Sequence, residues 1–130
     1  MAKINHLEMG ADVLARQDVQ VKKGFMGLTV KLIYQPTNSV IKIKEKEYSA
    51  EDGRKLENIL SAAPKDVEAA ISKFPVSAIN MGNMKLQACI SDDHQFVATQ
   101  LLAFKDFGYK PVTEMKTYTG KTAEAFAQLF

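Results

Sequence analysis

The chain has 130 residues, 46% of them hydrophobic and 25% charged, with one cysteine and a net charge of +2. That length and mix fit one globular domain, argue against a disordered polyelectrolyte, and leave no internal disulfide or cysteine-built zinc site. No apolar run reaches the roughly 18 residues of a helical membrane span, and the first residues lack a secretion signal's apolar run. A cytoplasmic protein with no membrane partner is therefore expected.

In chain order, Asp18–Lys23 alternates apolar and polar residues as a half-buried strand does. Leu28–Tyr34 is a second strand, rich in β-branched residues, and the turn formers 35–39 separate it from a third, Val40–Glu47. On that third strand Ile41 and Ile43 face one way and Lys42, Lys44 and Lys46 the other. Ser49 has the chemistry of a helix cap, with Asp52 suiting the positive end of the helix. A second helix should start at Pro64, carry Val67, Ala70, Ile71 and Phe74 on one face, and end at Pro75.

Residues 76–79 read as a short strand or an extended linker. Asn83–Ile90 is a strand, 91–94 a polar turn, and Phe96–Phe104 a strand whose apolar run also permits a helix. A turn at 106–109 leads to a strand Lys110–Tyr118, in which Pro111 marks the start or an edge. Thr119 caps a last helix bearing Ala123, Phe126, Leu129 and Phe130. The first seventeen residues fit no one element.

Residues 46–60 align with 116–130 at an offset of 70, sharing K-x-Y-[ST]-[AG]-x-x-[AG]-x-x-[LF]-x-[NQ]-[IL]-[LF]. Upstream, Thr29, Leu32 and Tyr34 meet Thr99, Leu102 and Phe104. This points to a single domain over 1–130 built from repeat halves at 7–74 and 76–130, each several strands followed by a helix. Convergence of strand–cap–helix junctions would give the same pattern.

Such a duplicated arrangement resembles the whirly and Pur families, and the resemblance implies binding of single-stranded nucleic acid. It rests on architecture: the lysine–glycine–lysine element of whirly proteins is absent, and Lys22-Lys23-Gly24 only approaches it. It carries no residue over.

Between Arg16 and Lys46 stand seven basic residues and two acidic ones. Lys22, Lys23, Lys31, Lys42, Lys44 and Lys46 could follow phosphates, and Phe25 and Tyr34 could stack on bases, the two residue types a single strand requires. The same lysines would also serve as a solvated sheet face that discourages aggregation. Cys89, Asp92, Asp93 and His94 form the one cluster of catalytic types. A cysteine inside an alternating strand is more often a small core residue than a nucleophile. Phosphate-binding, dinucleotide, zinc-protease and nucleophile-elbow motifs are all absent. A non-enzymatic module without cofactor or metal is expected.

The fold expected is α+β: an antiparallel sheet or two small sheets with three helices on one face. The core should hold Ile41, Ile43, Leu56, Ile59, Val67, Ile71, Phe74, Leu86, Leu102, Phe126 and Leu129, and the uncovered face should bind the ligand. The alternative is a protein-interaction module or small regulator, forming a homo-dimer or higher oligomer through the apolar C-terminal helix.

Overall fold

The computed structural model describes residues 16–23, 30–74 and 83–130. β1 (Val19–Lys23), β2 (Val30–Tyr34) and β3 (Ser39–Tyr48) run antiparallel and lead into α1 (Ala50–Leu60) and α2 (Pro64–Ser72). β4 (Met84–Ser91), β5 (Phe96–Lys105), β6 (Gly108–Pro111) and β7 (Lys116–Thr119) follow, then α3 (Gly120–Ala127). The strands form one antiparallel sheet in the order β1-β2-β3-β4-β5-β6, with β7 also on β5. The α+β expectation therefore holds, as a single sheet.

Local chemistry fixes the element ends. Ser49 Oγ accepts the Asp52 amide at 3.2 Å, as the cap chemistry requires, and Ser61 Oγ donates to the Glu57 carbonyl at 2.9 Å at the far end of α1. Pro64 opens α2 without wasting an amide. Thr119 holds the cap position of α3, but its side chain makes no cap bond. Gly120 turns the chain there at φ +66 and donates its amide to the Gln95 carbonyl instead. Phe96–Lys105 is a strand, and its apolar run reflects burial on both sides.

The single strand expected over 110–118 is broken. Leu102 pairs with Pro111 and Thr99 with Lys116, so residues 112–115 stand opposite only Gln100 and Leu101. Thr113 bridges this bulge: its hydroxyl accepts the Leu101 amide at 3.0 Å and its carbonyl accepts Gln100 Nε2 at 3.2 Å.

Among the described residues all three helices pack on one face. Leu56, Leu60, Val67, Ile71, Phe126 and Leu129 join Met84, Leu86, Ala88, Ile90, Val97 and Leu101 in the main core. Phe126 and Leu129 are thus spent within the chain, and the C-terminal helix docks on its own core. The reverse face is not bare, contrary to expectation. Val19, Leu32, Tyr34, Ile41, Cys89, Phe96 and Ala98 form a second buried cluster there. Ile43, expected in the core, lies on this reverse face beside buried Cys89 and is 39% exposed, with Glu45 next on the same side of the strand.

The fold does not confirm the duplication. Both strand–tyrosine–helix junctions exist, with Tyr48 and Tyr118 buried in the same core. A continuous antiparallel meander reverses strand direction from β2 to β5 while keeping the lateral order of strands. Bringing one half onto the other is then a rotation about an axis in the sheet, which exchanges the faces. α1 and α3 nevertheless share one face, so the halves do not superpose as rigid strand–strand–strand–helix units.

Candidate nucleic-acid interface

Alternation along β3 separates its charges. Lys42, Lys44 and Lys46 pair with Ile90, Ala88 and Leu86, which places them on the helix side of the sheet. Glu45 and Glu47 pair with Gln87 and Lys85 and point to the reverse side. On β2, Ile33 pairs with Val40, so Lys31 shares the lysine side, and Lys22 of β1 lies directly opposite Lys31. Five of the six expected lysines therefore share one face of three neighbouring strands. That face is the one carrying the helices, not the helix-free face that was expected to bind; strand alternation sorts residues into two sides without saying which side receives helices.

Lys22, Lys31, Lys42 and Lys44 are exposed, and Lys46 is half-buried. Lys42 Nζ stands 3.6 Å from Asp92 Oδ1, both well exposed. The β3 carboxylates are engaged on the far side. Glu45 Oε2 lies 2.9 Å from Lys85 Nζ and accepts Gln87 Nε2 at 3.3 Å, and Glu47 Oε1 accepts the Tyr109 hydroxyl at 3.3 Å. Lys22 and Lys31 stand directly opposite each other, and like charges so placed destabilise a sheet, a cost that a bound polyanion would relieve.

The expected stacking residues are not on this face. Tyr34 is buried on the reverse side, with its ring 5.1 Å from that of Phe96. Arg16 lies over the other part of this layer, 5.7 Å from the Phe96 centroid, with both Asp18 oxygens and Thr117 Oγ1 as partners. The Arg16 hydrogen bonds hold the Asp18 carboxyl below its ordinary range. Phe25 lies outside the described residues. For Lys23 only the strand position opposite Val30 is described.

The exposed aromatics lie elsewhere. The β5–β6 hairpin turns through Asp106 and Phe107, both at positive φ, and leaves Phe107 101% exposed and Phe104 53% exposed. By sequence, 106–109 reads only as a turn; the signal for more is an aromatic residue at the apex of a two-residue connection.

The cysteine–histidine cluster separates. Cys89 is buried in the second cluster, and burial pushes its thiol up to about 12, the opposite of an activated thiolate. His94 is exposed in the β4–β5 turn. Burial would raise the Asp93 carboxyl, but hydrogen bonds from Ser91, Thr37 and the Gln95 amide outweigh it and lower it. Asp93 also donates its amide to Ser39 Oγ at 3.0 Å, so the Asp92-Asp93 turn ties two hairpin tips together. Among the described residues no group of three metal-ligating side chains converges, and no helix is long and apolar enough to cross a membrane.

No family model, no curated protein and no solved structure matches this chain.

Proposed function

We propose that the chain is a non-catalytic module that binds single-stranded nucleic acid through the lysine face of β1–β3. The observation that carries this reading is the alignment of Lys22, Lys31, Lys42, Lys44 and Lys46 on one side of adjacent strands, while the β3 carboxylates are held on the other. Neighbouring strands lie about 4.8 Å apart, so these ammonium groups form a mainly positive band, with Asp92 beside Lys42 at its edge, on a chain whose net charge is only +2. A band of this kind tracks a phosphate backbone and reads no base edges, which predicts binding without sequence preference.

Fluorescence anisotropy of a labelled single-stranded oligonucleotide, titrated from low to raised salt, tests this. Single strands give a slope of about −0.7 in log affinity against log salt per phosphate contact, so engagement of all five lysines predicts roughly −3.5. Absence of binding at low salt, where charge attraction is strongest, removes the reading.

A further inference from the structure

A two-residue hairpin turn with both residues at positive φ is normally filled by Asn, Asp or Gly. Here the second position is Phe107, at φ +67, following Asp106 at φ +50. A side chain with a Cβ is disfavoured in that conformation, and strain of this kind collects at functional positions. Phe107 is fully exposed, so no packing within the described fold offsets the strain.

Its neighbour Phe104 is also open, yet held in place. The Phe104 ring meets Tyr109 edge-on at 5.4 Å. Tyr109 is fixed in turn by its bond to Glu47 and by Lys85 Nζ, 4.2 Å above the ring. On the other side of the hairpin stand Lys105 and Lys110, both exposed. Lys110 pairs with Ala103 and Lys105 with Gly108, so both fall on the side of the sheet that carries the lysine band.

We propose that the β5–β6 hairpin is the base-stacking element of the same site, with Phe107 at its tip as the stacking ring and Lys105 and Lys110 taking the flanking phosphates. This rests on the nucleic-acid reading. It replaces Tyr34 and Phe25 as the stacking residues. The occupant's chemistry follows from the residues: a flat apolar ring at the tip, next to two cations, matches a base flanked by phosphates. Counted through strand spacing and rise, the tip lies roughly 20 Å along the sheet from Lys46, within reach of a short oligonucleotide.

Two 12-nucleotide probes test this, oligo-dT and an abasic strand with the same phosphates. Stacking predicts that the native protein binds oligo-dT more tightly, by roughly 5- to 150-fold per stacked base. Phe107→Ala should lose that advantage while its affinity for the abasic strand stays unchanged. The chain contains no tryptophan, so Phe107→Trp places a lone indole at the tip. Oligo-dT should quench its fluorescence and the abasic strand should not.

Equal binding of both probes by the native protein, with Phe107→Ala unchanged, overturns the hairpin proposal and leaves the lysine band standing. Failure of both probes to bind overturns both. Absence of quenching by oligo-dT, with a blue shift on phosphatidylserine vesicles, also overturns the proposal and reassigns the tip to a lipid surface.

Discussion

Replacing Phe107 with glycine should stabilise the protein. The αL conformation costs a residue with a Cβ about 1–2 kcal/mol, and glycine removes that cost. Glycine also loosens the unfolded chain, which returns about 0.4–1 kcal/mol of the gain. No burial is lost, because the phenyl group is fully exposed. The expected net is a gain of about 0.5–1 kcal/mol, or roughly 2–5 °C in Tm for a domain of this size. Thermal and urea denaturation followed by circular dichroism measure it, and the urea m-value should stay constant. A fall in Tm would refute the reasoning, since it would mean that Phe107 contributes packing which its exposure denies. A gain in stability accompanied by loss of oligonucleotide binding would show a ring retained at the expense of stability.

Three further outcomes follow from the core. Gly53→Ala adds about 1 kcal/mol of helix propensity to α1, but the new Cβ would come within 2.8 Å of Met84 Cβ and Cγ and overlap its sulfur. Overpacking costs roughly 1–3 kcal/mol, so urea denaturation should show a net loss of about 1 kcal/mol. Burial raises the Tyr48 hydroxyl from 10 to about 12 and the Cys89 thiol from 9 to about 12. The unfolded chain then releases protons that the folded chain keeps, so stability is full below about pH 9 and falls as pH rises toward about 12. Tyr34, Tyr109 and Tyr118 are raised by burial as well and share in the decline. The Tyr48 oxygen is buried without a hydrogen-bond partner among the described residues. Tyr48→Phe should therefore be neutral or stabilising at pH 7, and should remove about 3 kcal/mol of the alkaline loss in pH-dependent denaturation.

Much of the fold was legible because local chemistry dictated it. Ser49, Pro64 and the 3.6-residue spacing of Val67 and Ile71 placed two helices, and alternation in β3 put its lysines together. What strand alternation cannot say is which side receives helices, since it divides residues into two sets without labelling them. For that reason the lysine band was assigned to the uncovered face and Ile43 to the core. The bulge at 112–115 was hidden because its key bond, Thr113 to the Leu101 amide, depends on a register set twelve residues away. The hairpin tip was missed because an aromatic residue in a turn reads as an ordinary turn until its φ and exposure are known.

The most direct test of the lysine band compares two charge reversals of equal size. Lys42→Glu with Lys44→Glu changes the band, whereas Lys65→Glu with Lys73→Glu changes exposed positions on and just after α2. If the band is the site, only the first pair should weaken oligonucleotide binding and flatten the salt slope, by about 0.7 per lost contact. Equal weakening by both pairs would contradict the account, since binding would then follow net charge and not the face of the sheet.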